Sequence, residues 1–186
     1  MPLNIPTGTT NDISFGPARL FIKPWAAAAM GTPDTDVGYI SEDGVSVEIT
    51  SEMKDIVQGN PKLIEYTFSQ TQGVSVTLSS IEWDFNNLVY ALGAGVTANG
   101  ATLKYSFGGD PLVSSVALNI EHQMAVTGNT LNLYVWKAVS ESGVSFPFGA
   151  DEHTFEYKWK AQRADTDWGG TALTYEKQLI QILRSS

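Results

Sequence analysis

Cysteine is absent from the 186-residue chain, so neither disulfides nor thiolate metal sites contribute and the fold must stand on packing alone. Positive charge is scarce: 11 Lys+Arg stand against 20 Asp+Glu, a formal net charge of −9. A surface that holds phosphate regardless of sequence needs clustered cations, so sustained DNA binding is disfavoured while repulsion of DNA is not. Long apolar runs are missing as well. The opening MPLNIPTGTT has neither a cationic nor an apolar leader region, and Ala26 to Met30 is far too short to span a bilayer. The expectation is a soluble protein made in the cytoplasm, with no membrane partner.

Catalytic chemistry is poorly supplied. The two histidines, His122 and His153, fall in no metal-binding spacing such as HExxH, and no G-x-S-x-G turn offers a nucleophile. His122 sits in a strand pattern beside Glu121 and reads as a surface or interface residue. His153 follows Asp151 and Glu152, but adjacent strand residues point to opposite faces, so no carboxylate orients it. The pairs Asp34/Asp36 and Asp165/Asp167 lack the closing glutamate of a calcium loop and read as turn formers. Gly93-Ala94-Gly95 follows a helical pattern, whereas a phosphate-binding loop precedes a helix. No enzyme activity, metal or cofactor is expected.

What is present is a strand-rich, glycine-punctuated chain. Hydrophobic residues at 42% and charged residues at 17% place it among ordinary globular proteins, and no repeat, charge block or low-complexity linker divides it, so 1–186 reads as one domain. After an N-terminal arm over 1–12, Ile13 to Lys23 reads as a first strand with Gly16-Pro17 marking an edge or bulge, and Pro24 to Asp36 as a loop. In the block 44–80, Val45, Val47 and Ile49 alternate with Ser46, Glu48 and Thr50, as in a half-buried strand. Gln58-Gly59-Asn60-Pro61 supplies turn chemistry, and alternation resumes over Leu63 to Ser69 and Val74 to Ser80. Over 101–161, four further strands are expected: Ala101 to Phe107, Val113 to Ala125, Thr130 to Val139 and His153 to Ala161, with a hairpin at Thr127-Gly128-Asn129. Residues 162–186 form a C-terminal segment.

One stretch changes period. Phe85, Leu88, Val89 and Leu92 recur at helical spacing, so a helix of about three turns is expected over 81–92. Ser80 would cap its start, Glu82 and Asp84 would suit its positive end, and Gly93 would take the left-handed C-terminal position. The fold class expected is therefore mainly β: an antiparallel β-sandwich or barrel-like domain with one flanking α-helix and extended loops and termini. Of five tryptophans, Trp136 and Trp159 lie inside strand patterns and read as core. Trp25, Trp83 and Trp168 lie near segment ends, where a subunit contact or a stacked sugar ring would both suit an indole.

The stretches GVSVEIT (44–50), DIVQGNPKLIEYTF (55–68), VSVTLSSIEW (74–83) and NNLVYALG (86–93), in this order, resemble the major tail tube proteins of long-tailed bacteriophages. More remotely the chain is similar to the tube proteins of contractile injection systems. The resemblance implies a structural subunit of the virion tail. Copies would join into sixfold rings, each giving one sheet to a continuous inner barrel, and rings would stack into a hollow conduit for DNA. Partners would be further copies of the chain, other tail proteins such as the tape measure and tail terminator, and DNA in transit without specific binding. On this reading Glu48, Glu52, Asp55 and Glu65 are candidates for an acidic lumen that repels phosphate, with a solvated outer face as the competing reading. Trp25, Gln58, Asn60 and Lys62 are candidates for ring-to-ring contact. A carbohydrate-binding β-sandwich, and the tube of a contractile tail or secretion system, are the alternatives.

Overall fold

The computed structural model describes residues 16, 18–27, 29–82, 84–93, 95–99, 102–108, 114–124, 129–141, 143–149 and 153–185. Its strands are β1 (Arg19–Pro24), β2 (Thr35–Asp36), β3 (Ile40–Gln58), β4 (Leu63–Ser80), β5 (Gly95–Asn99), β6 (Thr102–Ser106), β7 (Val116–Gln123), β8 (Thr130–Ser140), β9 (Phe155–Ala161) and β10 (Ile180–Ser185), with one helix, α1 (Phe85–Leu92), between β4 and β5. The main sheet runs β2-β1-β7-β8-β9-β4-β3, every pair antiparallel, and β10 adds to β8 beside β9. It curls round its core without closing into a barrel, so the domain is mainly β and sandwich-like, as expected.

Alternation explains the core. Leu20 and Ile22 of β1, Leu118 and Ile120 of β7, Val135 of β8, Phe155, Tyr157 and Trp159 of β9, and Val76 and Leu78 of β4 all project to the same side and are buried together. Leu88 and Ala91 of α1 cover part of that cluster. The opposite face of β7 and β8 carries a second, smaller cluster, in which Ala117 and Trp136 are covered by Ala164 and Trp168 of the C-terminal segment. With both faces covered, β7 is buried from Val116 through Ile120.

Several sequence expectations are corrected. The helix is shorter than expected, eight residues or about two turns. Asp84, not Ser80, caps it, accepting from the Asn86 N–H at 2.8 Å. Ser80 ends β4, fully buried, and its hydroxyl is committed to the Tyr39 carbonyl at 3.1 Å and the Glu82 N–H at 3.2 Å. Glu82 likewise serves the β3 entry rather than the helix, accepting from the Tyr39 N–H at 3.0 Å. Gly93 takes the positive-φ position as expected, at φ 71°, and its N–H donates to the Val89 carbonyl at 2.9 Å.

Among the described residues the first strand begins at Arg19, after Gly16 at φ 99°; Ile13 and Phe15 lie outside the described residues, as do the arm over 1–12 and Trp83. The two strands expected over 63–80 are one, since two bulges break the alternation without breaking the ladder. Gln70 is skipped between the Glu52–Thr71 and Met53–Ser69 pairs, and Glu65 between Ile56–Tyr66 and Val57–Ile64. The β7–β8 hairpin pairs as expected, although 125–128 of its connection lie outside the described residues.

Candidate functional site

The β3–β4 hairpin outgrows its sheet. β9 pairs with β4 only over Ser75–Ser80, and β3 is the last strand, so beyond Val74 both edges of the ribbon lack a partner among the described residues. Both faces are open too, with every residue from Glu48 to Thr67 exposed. Seven large apolar side chains, Ile49, Met53, Ile56, Val57, Leu63, Ile64 and Tyr66, are between 49% and 65% exposed. Unpaired edges carrying apolar side chains on both faces favour association, and soluble monomers ordinarily blunt them.

Register assigns each residue a face. On the core-directed face of the root lie Val45, Val47 and Ile49 opposite Leu78, Val76 and Val74; further out the same face carries Ser51, Met53, Asp55 and Val57. The outward face carries Glu48, Thr50, Glu52 and Lys54, then Ile56 opposite Tyr66. Cross-ribbon contacts order the arm despite its exposure. Ser51 and Ser69 hydroxyls meet at 2.9 Å and the Thr67 hydroxyl donates to Asp55 Oδ1 at 2.6 Å, while along β4 itself Tyr66 and Phe68 stack at 6.4 Å. The turn at the tip passes through Gly59 at φ 95°, a conformation suited to glycine.

Of the four candidate lumen acids, Glu48 and Glu52 share the outward face, Asp55 lies on the opposite one, and Glu65 sits at a bulge. All four are exposed. The outward face is mixed in charge rather than acidic, because the registers carry it from Glu48 through Ser75 to Lys160 of β9, with Lys158 alongside. Of the four candidate contact residues, Gln58, Asn60 and Lys62 are exposed together at the tip. Trp25 is elsewhere. It is half-buried against the Trp136/Trp168 cluster, its N–H donates to the Ser115 carbonyl at 2.9 Å, and Lys137 Nζ stands 4.4 Å from its ring centre.

Trp168 is also explained within the chain, being 5% exposed in the second cluster. His122 is buried rather than at the surface, because it follows Leu118 and Ile120 on the core-directed face of β7. His153 contacts Gly149 and stands edge-on to Phe148 at 5.9 Å. The acidic pairs act in turns and ion pairs: Asp36 binds Arg19 at 2.5 Å, Asp34 lies 3.6 Å from Lys23, Asp165 lies 3.0 Å from Arg163, and Asp167 accepts from the Gly169 and Thr171 N–H groups. Among the described residues no three metal-ligating side chains cluster, and no helix is long and apolar enough to cross a membrane.

Two grooves open beneath the arm's root, on its core-directed face. One, of about 860 Å³, lies between Val45 and Val47 of β3 and Ile120, Leu131 and Leu133 of β7 and β8. The other, of about 220 Å³, separates Ile49 and Val74 from Tyr175, Leu179 and Ile180 of the C-terminal segment. They adjoin where Leu133 pairs with Ile182 and Val135 with Ile180. What this surface offers is strand edges and apolar area. The apolar tip residues were missed as a site from sequence, although LIEYTF (63–68) places apolar side chains on both faces, which a half-buried strand would not need. Comparison of the chain with protein-family models and with curated proteins returns no match.

Proposed function

We propose that this chain is a structural subunit that assembles with copies of itself into stacked rings, forming the tube of a phage tail through which DNA passes. The observation that carries the reading is the exposed β3–β4 arm: a ribbon with both edges unpaired among the described residues and apolar residues on both faces, of a kind that a protein working as a monomer has reason to avoid. Strand edges that find partners in identical copies close into rings when the contact is heterologous and the rotation closes, and extend into filaments when it does not. The net charge of −9 suits a conduit that must not retain DNA.

The carbohydrate-binding reading draws less support. Trp136, Trp159 and Trp168 are each at most 5% exposed, and the half-buried Trp25 has Lys137 over one face of its ring, so little indole surface among these four is open to a sugar. Electron microscopy of the purified protein across a concentration series tests the proposal. Rings or hollow tubes are expected, and a species that stays monomeric at every concentration and salt would overturn it.

A further inference from the structure

We infer that residues 7–15, which lie outside the described residues, run as a further strand along the free outer edge of β3 and fill the larger groove, closing the gap in the sheet between β3 and β1. The two ends of the sheet approach each other there without pairing among the described residues. β3 is the last strand at one end, and at the other β2 covers β1 only at Phe21 and Ile22. Between them lies the groove of about 860 Å³, with Gly16 and Ala18 on one rim and Ser41 to Val45 on the other. Over Ser41 to Gly44 β3 has no register partner in β4 either, and Ser41 Oγ is buried without a hydrogen-bond partner among the described residues. A buried hydroxyl and an uncovered strand edge both call for polar groups supplied from within this gap.

The segment that precedes β1 is placed to supply them. Gly16 is itself on the rim, so Phe15 adjoins the groove directly. Residues 7–15 contain no proline, which would lack an N–H for the ladder, and Pro6 marks where such a strand would stop. At about 3.3 Å per residue they span roughly 26 Å, against about 20 Å for β3 from Ser41 to Val47. Ile13 and Phe15 fall on one face of a strand, Asp12 and Ser14 on the other. One face therefore suits the apolar walls formed by Val45, Val47, Ile120, Leu131 and Leu133, while the other meets water. The connection 125–128 leaves too little chain to follow β3, because it is tied at both ends by the Met124 N–H donating to the Asn129 carbonyl at 3.0 Å. This inference concerns the single subunit and stands whether or not copies form a tube. A gap sealed by the chain's own N-terminal segment leaves the arm as the long open edge through which copies would meet.

Disulfide trapping in the full chain tests the placement, because the sequence has no cysteine to interfere. Val47 faces the groove, and its neighbour Glu48 faces the opposite side of β3. With an added oxidant, Phe15→Cys/Val47→Cys should form an internal disulfide, seen as a single-chain band of altered mobility on a non-reducing denaturing gel, and Phe15→Cys/Glu48→Cys should not. Hydrogen exchange reads the same contact in the unaltered chain. The amides of residues 41–47 that are not bonded to β4 should be protected, and Ile13→Asp/Phe15→Asp should remove that protection while β7 and β8 keep theirs. Unprotected amides over 41–47 in the unaltered chain, or no internal link in the Phe15/Val47 pair, would overturn the inference. Linkage between chains but not within one, seen as a dimer band on mixing Phe15→Cys with Val47→Cys, would assign the groove to a second copy's segment and would equally overturn it.

Discussion

Trp168 stands edge-on to Trp136, ring centres 4.9 Å apart, and its indole Nε1–H donates to the Trp136 backbone carbonyl at 3.2 Å. Trp136 in turn donates its own indole N–H to the Lys177 carbonyl at 2.8 Å, while the Trp168 carbonyl accepts from the N–H groups of Met30 and Gly31. The pair thus clasps two irregular segments to the outer face of β7 and β8, which no second sheet covers among the described residues. Removing it should expose that face. Trp168→Ala is expected to cost about 3–5 kcal/mol, the range for deleting a large buried aromatic, read as a lower urea midpoint. Trp168→Phe should recover part of the loss, and a stability unchanged by the alanine variant would contradict the clasp.

Gly38 links β2 to β3 at φ 89°, and a Cβ there would collide with the carboxylate of Glu82, the group that accepts from the Tyr39 N–H. Gly31 has a similar φ of 72° but open space around it. Backbone strain of about 1–3 kcal/mol should therefore appear in both Gly31→Ala and Gly38→Ala. Gly38→Ala should cost about 1 kcal/mol more, because displacing Glu82 also loses its hydrogen bond. Equal destabilisation of the two in thermal melts would show that the Glu82 contact contributes nothing.

Burial, and secondarily the nearby charge of Asp84, pushes the Tyr157 hydroxyl up to about 12 from an ordinary value of 10.0. The folded state favours the neutral phenol, so this stabilisation is fully present below pH 10, the unfolded value, and is lost as pH rises through about 12. A pH titration of phenolate absorbance should show one tyrosine ionising late, together with unfolding, and Tyr157→Phe should remove that late step. Ionisation of all seven tyrosines before any unfolding would refute it.

Period-two alternation made most strands of the sheet legible, because core contact demands it of β3, β4, β7, β8 and β9 alike. What stayed hidden depends on partners distant in sequence. Ile180 and Ile182 form a strand only because Val135 and Leu133 lie alongside, and nothing in QLIQILRSS distinguishes that from a tail. Ser80 and Asp84 are both good helix caps, and the choice was made by Tyr39, whose carbonyl draws the Ser80 hydroxyl into the β3 entry. The arm posed a different difficulty. Alternation in Ile49 to Val57 reads the same whether a neighbouring sheet covers it or leaves it open, so the sequence marked the strands but not their exposure. Parity along β3 alone puts Asp55 on the face opposite Glu48 and Glu52, whereas the place of Glu65 is set by a β4 bulge that carries no glycine to announce it.

Shortening the arm separates its role in folding from its role in assembly. Ser51 pairs with Gln72, so replacing residues 52–71 by Asn-Gly would close the hairpin at that pair with a two-residue turn of the kind antiparallel strands favour. Nearly all the side chains removed are exposed, so the core they leave behind is unchanged. Closing a shorter loop costs less chain entropy, so the thermal midpoint should stay level or rise. The same variant should sediment as a monomer under conditions in which the full chain forms rings, because it has lost the apolar ribbon. Rings formed by the shortened chain would remove the observation on which the tube proposal stands, and unfolding would mean that the arm stabilises its own domain through contacts its exposure does not suggest.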